Sequence, residues 1–150
     1  EQIRSAFQQF LGVKLRLEIK PNKSRVVIDD FAHHPTAVRE TIKAAKQKYP
    51  EKKICAVFEP RSATSCMKIF EQDFIDAFSG ADYVMLAPLG RSLAVELSLD
   101  TKKIAEELRN KNIRAQAFLD YESLKESLNN LDQNIALLLM SNGNFQDLSL

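Results

Sequence analysis

Residues 25–36 read Arg25-Val26-Val27-Ile28-Asp29-Asp30-Phe31-Ala32-His33-His34-Pro35-Thr36, and this stretch decides the fold class. The β-branched run from Arg25 to Asp29 predicts a strand. Pro35 suits the first turn of a helix, where its missing N–H costs nothing. Val38, Ile42, Ala45 and Tyr49 then recur at helical spacing until Pro50 stops the run. Two carboxylates, two imidazoles and a helix start are thereby gathered at the carboxyl end of one strand. In an open α/β sheet that edge is where ligands bind.

Upstream, Gln2 to Phe10 reads as a short amphipathic helix. Val13, Leu15, Leu17 and Ile19 alternate with Lys14, Arg16 and Glu18, which predicts a half-exposed strand over 13–19. The turn residues Pro21-Asn22-Lys23-Ser24 would join it to the next strand as a hairpin-like entry. Downstream, apolar strands at Ile54–Phe58, Tyr83–Ala87 and Ile135–Met140, with a weaker one at Arg114–Phe118, are separated by helical patterns at Ile69–Phe78, Thr101–Asn110 and Tyr121–Leu131. Unbroken apolar strands between amphipathic helices require both faces of a parallel sheet to be covered. The expected fold is α/β: a doubly wound, mostly parallel, Rossmann-like sheet of about six strands with an antiparallel strand near the N-terminus. Residues 1–150 read as one domain.

Composition narrows the partners. Lys+Arg 21 against Asp+Glu 20 leaves a net charge of +1, which speaks against a dedicated nucleic-acid binder. No apolar stretch is long enough to span a bilayer. Two cysteines, Cys55 and Cys66, without metal-ligand spacing, predict inert buried thiols and a cytoplasmic location. With four glycines in all, neither a dinucleotide fingerprint nor a P-loop can be assembled. If the chain handles ATP, another domain must grip the phosphates.

Asp29 and Asp30 are candidates for a ribose hydroxyl or a magnesium-bound water, Asp30 being nearer the loop. Consecutive strand residues face opposite sides, so the two should not share a role. His33 and His34 point apart in most backbones, so a shared metal is not expected; contact with a carboxylate or phosphate at the helix N-terminus is, with His34 alternatively capping that helix. Arg61 and Ser62, at the end of the next strand, suit capture of a carboxylate or phosphate. Lys68 could reach the same cleft, and Asn142, in the turn Ser141-Asn142-Gly143-Asn144, could border it.

At these positions the chain resembles the C-terminal domain of a Mur ligase of the branch acting on UDP-N-acetylmuramate. Residues 29–38 are similar to that branch's hallmark. Glu59-Pro60-Arg61-Ser62, Met67-Lys68 and Met140-Ser141-Asn142-Gly143 resemble the murein peptide ligases more than the L-alanine-adding enzymes. The resemblance implies an ATP- and Mg2+-dependent amide ligase in peptidoglycan recycling. In such an enzyme ATP phosphorylates the lactyl carboxylate of UDP-N-acetylmuramate, and the amine of a murein tripeptide attacks the acyl phosphate and releases phosphate. It also implies that this chain is one third of an enzyme, inactive alone, whose N-terminal and central domains bind the UDP-sugar and carry the P-loop. Carried over by position, Asp30, with Asp29, would face the nucleotide. His33 and His34 would lie near the γ-phosphate and amine, and Arg61, Ser62, Lys68 and Asn142 near the peptide substrate. Rival readings are the L-alanine ligase, a free-standing nucleotide- or anion-binding module, and a metal hydrolase built on the aspartates and histidines.

Overall fold

In the computed structural model, which describes residues 13–22 and 24–146, six strands form one sheet in the order β1-β2-β6-β3-β4-β5. The strands are β1 (Glu18–Lys20), β2 (Val27–Asp30), β3 (Lys53–Phe58), β4 (Tyr83–Leu86), β5 (Arg114–Ala117) and β6 (Ile135–Met140). The helices are α1 (Pro35–Lys48), α2 (Glu71–Phe78), α3 (Thr101–Asn110) and α4 (Tyr121–Asn129), with a 3-10 turn at Lys68–Phe70 ahead of α2. Only the β1–β2 pair is antiparallel. This is the doubly wound, mostly parallel α/β sheet expected from the sequence. The helix expected over Gln2–Phe10 falls outside the described residues.

The winding follows from handedness. From β2 the chain steps past the place of β6 to β3, then on to β4 and β5, always in one direction. It then turns back to insert β6 between β2 and β3. Right-handed crossovers put the helices of the outward steps on one face and the helix of the return step on the other. Accordingly Val38, Ile42, Phe74, Phe78, Ile104 and Leu108 of α1–α3 pack with Ile28, Ile54, Phe58 and Leu138. Leu124 and Leu128 of α4 pack on the opposite face with Val27, Val57, Leu137 and Leu139. Every residue of the central strand β6 is buried, whereas the edge strand β5 alternates exposed and half-buried residues.

The entry to the sheet departs from the expected strand over 13–19, since only Glu18–Lys20 pairs with β2. Residues 14–17 turn instead, with Leu15 and Leu17 at φ 57 and 47 in the left-handed region. Such backbone is costly for a leucine, so it is held by tertiary bonds. The Leu15 N–H donates to Glu18 Oε2 at 2.9 Å and the Leu17 N–H to Asp30 Oδ2 at 2.8 Å. Phe31 N–H closes the turn on the Leu15 carbonyl at 2.9 Å.

At the carboxyl edge the parallel ladder runs one residue beyond each strand. Ser141 N–H donates to Asp30 O, Glu59 N–H to Met140 O, Ala87 N–H to Phe58 O and Phe118 N–H to Leu86 O, at 2.9–3.1 Å. The first residue after each strand is thus fixed as rigidly as the strand itself. Alternation turns Glu59 and Ser141 toward the α4 face and Asp30 toward the α1 face.

Candidate functional site

The rim carries two separate constellations, one on each face. On the α1 face, Asp30 is buried and its carboxylate is fully employed by the fold. Oδ1 accepts from the Ala32 N–H at 2.8 Å and the Thr41 hydroxyl at 3.3 Å, and Oδ2 accepts from Leu17. His33 Nδ1 lies 2.9 Å from the Phe31 carbonyl, with the imidazole edge-on to the Phe31 ring. His34 caps α1, its Nδ1 accepting from the Thr36 N–H at 3.4 Å, and its exposed ring packs against Phe70. The two imidazoles have different ring partners, Phe31 and Phe70, and Pro35 occupies the first helical turn as expected.

On the α4 face Asp29 is half-buried and pairs with Lys20 at 3.5 Å. Burial pushes its carboxyl above the usual range, and the Lys20 ammonium pulls the other way. Asp29, not Asp30, opens on a hollow of about 360 Å³ whose polar lining includes Lys20, Asn22 and Asn144 and whose floor includes Val27, Leu139 and Phe145.

The more structured part of the rim lies beside it, around Glu59. This glutamate continues the apolar strand β3 and has no exposed surface. Oε1 accepts from the Tyr121 hydroxyl at 2.5 Å, and Oε2 accepts from the Ser141 hydroxyl and, at 3.3 Å, from the Phe145 N–H. Buried carboxylates persist only when paired or hydrogen-bonded, and this one is both. Arg61 Nη1 stands 3.7 Å from Oε1. Burial, with the Glu59 carboxylate next to it, pushes the Tyr121 phenol well above its usual range, so it remains a donor at neutral pH.

Two glycines give Arg61 its place. A Cβ on Gly143 would lie 2.5 Å from Arg61 Cδ and 2.8 Å from Glu59 Oε2, and one on Gly90 would lie 2.7 Å from Arg61 Cγ. The arginine stem therefore runs over a floor from which side chains are absent. Arg61, nearly half exposed, lines an open cleft of about 600 Å³ together with Asp120, Tyr121, Glu122 and Asn144. The side-chain oxygen of Asn142, the residue before Gly143, is buried without a hydrogen-bond partner, and Asn142 lines neither hollow.

Neither hollow is lined by Asp30, His33 or His34, so Arg61 is not brought together with the residues of the opening motif in either of them. Ser62 serves its own loop, its hydroxyl bonding the Ser65 hydroxyl and accepting the Ser65 N–H, both at 2.9 Å. Lys68 is exposed at the start of the 3-10 turn and lines neither hollow. The sequence reading passed over Glu59 and Tyr121. The available signal was a carboxylate prolonging a wholly apolar strand, with an arginine two residues on. Among the described residues no three His, Cys, Asp or Glu side chains are grouped to hold a metal, so the Asp29–His34 turn does not form the metal centre a hydrolase would use. No helix of the described residues is long and apolar enough to cross a membrane.

Fold and rim together define a doubly wound α/β domain that presents one guanidinium, held from below by a buried carboxylate, to a cleft at the ends of its strands. The chain belongs to the Mur ligase family: the profile described as "Mur ligase, glutamate ligase domain" matches residues 15–143. It is 37% identical over 144 residues to the UDP-N-acetylmuramate--L-alanine ligase of Streptococcus pneumoniae (strain CGSP14), covering 96% of this chain and 31% of that enzyme. Among solved structures, a murein peptide ligase from Psychrobacter arcticus 273-4 superposes with a TM-score of 0.74 at 27% identity, over 96% of this chain and 30% of that one. The UDP-N-acetylmuramate-alanine ligase of Thermotoga maritima shares the fold, with a TM-score of 0.74 at 23% identity over 95% of this chain and 30% of that one. The chain spans about three-tenths of the length of the curated relatives it matches.

Proposed function

We propose that this chain is the C-terminal third of an ATP-dependent ligase that adds L-alanine to UDP-N-acetylmuramate in the cytoplasm. The sequence motifs leaned toward the murein peptide ligases. The identity to L-alanine ligases, 37% and 32% in two of them, moves the first reading to the L-alanine enzyme. The tripeptide-adding reaction stands as the second reading, supported by Glu59-Pro60-Arg61-Ser62 and by the likeness to the Psychrobacter enzyme.

The observation that carries the proposal is Arg61, set over Gly90 and Gly143 at the rim and open to a cleft. A guanidinium binds a carboxylate through two parallel N–H donors, which suits the carboxylate of an incoming amino acid or peptide. Holding that end positions the amine for attack, and such orientation removes part of the barrier of a bimolecular step. The described residues offer neither a phosphate-wrapping loop nor a metal-ligand set, so ATP and Mg2+ are assigned mainly to a central domain, and the isolated chain is expected to be inactive. His33 and His34, beside the N-terminus of α1, remain the proposed neighbours of the activated substrate. Asp29 is the better placed of the two aspartates to meet a nucleotide, since it opens on a hollow.

The test is a ligation assay on the complete polypeptide that carries this domain, supplied with UDP-N-acetylmuramate, ATP, Mg2+ and either L-alanine or L-alanyl-γ-D-glutamyl-meso-diaminopimelate. Product mass and phosphate release are followed. Alanine adduct supports the first reading and tripeptide adduct the second. A folded enzyme that turns over neither, or an isolated domain that ligates by itself, overturns the proposal.

A further inference from the structure

The contact between Glu59 and Arg61 is unusually open for an arginine beside a buried carboxylate. A closed charge-assisted N–H···O bond measures about 2.7–2.9 Å, whereas Arg61 Nη1 stays at 3.7 Å from Glu59 Oε1. The oxygen it approaches is the one taken by the Tyr121 hydroxyl at 2.5 Å. The other oxygen is taken by Ser141 and the Phe145 N–H. Both ends of the carboxylate are therefore occupied by donors other than the arginine. The Arg61 side chain, 44% exposed, lies along the glycine floor, and the residue lines the cleft.

We infer that Tyr121 is a positioning residue for Arg61: its hydroxyl occupies the Glu59 oxygen that the guanidinium would otherwise close upon, and so keeps that guanidinium available to an anion in the cleft. The geometry assigns Tyr121 two duties in one place, since its ring belongs to the apolar cluster under α4 while its hydroxyl meets Glu59. The ring can be kept and the hydroxyl removed. With Tyr121→Phe, Oε1 loses its donor, a buried acceptor left unpaired is costly, and the nearest remaining donor is Arg61. The guanidinium then turns inward onto Glu59 and leaves the cleft. This inference rests on reading Arg61 as the anion contact, but it concerns the state of the guanidinium itself and can be measured without any ligation.

The experiment is phenylglyoxal modification of this chain, with adduct formation at Arg61 followed by peptide mass spectrometry, and with Arg39 and Arg114, which pair with Glu40 and Tyr83, as internal references. A guanidinium engaged in a partly exposed ion pair is withdrawn from reagent by the modest factor typical of such pairs, so Tyr121→Phe should slow Arg61 modification by about threefold while the references keep their rates. Glu59→Gln removes the charge that draws the arginine, so it should speed modification of Arg61, and adding Tyr121→Phe to it should change nothing further. Far-UV circular dichroism checks that each variant is folded. An Arg61 rate unchanged or raised in Tyr121→Phe overturns the inference. So does an equal slowing in the Glu59→Gln background, and this second arm decides the matter if the single variant fails to fold. The expected slowing in Tyr121→Phe, found together with an Arg61→Ala enzyme of undiminished ligation, would instead overturn the assignment of Arg61 to substrate and leave the Tyr121 role intact.

Discussion

The Leu17 N–H and the Asp30 carboxylate meet at 2.8 Å across thirteen residues of sequence, and that bond holds the left-handed turn at 15–17 against the end of β2. Asp30 receives two further donors, Ala32 N–H and the Thr41 hydroxyl, which tie the same rim position to α1. Removing the carboxylate strands two backbone donors at once. Asp30→Ala should therefore cost about 2–4 kcal/mol of stability, and Asp30→Asn, which keeps one acceptor, roughly half as much. Urea unfolding of the three proteins measures it. A neutral Asp30→Ala would show that the carboxylate is not the organiser of the turn and would return it to the nucleotide role.

The two glycines beneath Arg61 should each tolerate a side chain better once the arginine is removed. A Cβ at Gly143 meets Arg61 Cδ at 2.5 Å and Arg61 Nε at 3.0 Å, but it also meets Glu59 Oε2 at 2.8 Å. A Cβ at Gly90 meets Arg61 Cγ at 2.7 Å, and then Cβ at 3.0 Å and Cα at 3.1 Å, which persist in an alanine. Each Gly→Ala change should destabilise by about 1–3 kcal/mol, as overpacking does. In an Arg61→Ala background Gly143 loses its conflicts with Cδ and Nε and keeps that with Glu59 Oε2, while Gly90 loses its conflict with Cγ and keeps those with Cβ and Cα. The cost should therefore fall in both without vanishing in either, a coupling of about 0.5–1 kcal/mol that a double-mutant cycle can resolve. Strict additivity would mean that Arg61 does not lie where the floor requires.

Strand and helix placement was legible where burial is uniform. The bounds expected for α3 and β6 coincide with the structure, because Ile104, Ala105 and Leu108 and the run Ile135–Met140 have a single periodicity and no competing turn. The region 13–17 misled for a physical reason. Its alternation of apolar and basic residues is the pattern of a strand, while two of the bonds that bend it, Leu17 to Asp30 and Phe31 to Leu15, exist only once the segment lies against the end of β2. The site was half legible. Arg61 and the rim location followed from the order of strands and loops, but Glu59 owes its burial to Tyr121 and Ser141, 62 and 82 positions away. No local pattern announces such partners.

His34 offers a separable test of capping and chemistry. Its imidazole caps α1 through a long 3.4 Å bond, and α1 has no acidic residue in its first turn. Aspartate is a far better cap and complements the helix dipole, so His34→Asp should stabilise the domain by about 0.5–1 kcal/mol. Thermal unfolding reports the gain. If His34 lies near the activated substrate as proposed, the same variant in the complete enzyme should be more stable and yet slower. Full activity in the stabilised variant would leave His34 as a cap alone.

Cys55 gives the domain an alkaline weakness whose direction follows from burial. The thiol is fully enclosed in β3, and loss of hydration pushes it from the ordinary 9.0 up to about 12, with Arg25 pulling weakly the other way. Cys66 is raised for the same principal reason. Below the ordinary thiol range both folded and unfolded chains hold the proton, and the full contribution to stability is present. Above it the unfolded chain releases a proton that the folded chain keeps, so the unfolded state binds fewer protons and stability declines as pH rises toward the folded value. Cys55→Ala removes that decline at the cost of a small cavity, about 1 kcal/mol at neutral pH. The gap between the two proteins should then narrow by up to ~1.4 kcal/mol for each unit above the thiol range, with the variant the more stable by about pH 10–11. Urea titrations at stepped pH decide it, because other groups that titrate there are common to both proteins and cancel in the difference. Parallel curves would mean that the Cys55 thiol ionises equally in the folded and unfolded chains, which a sulfur without exposed surface in the middle of a parallel sheet should not do.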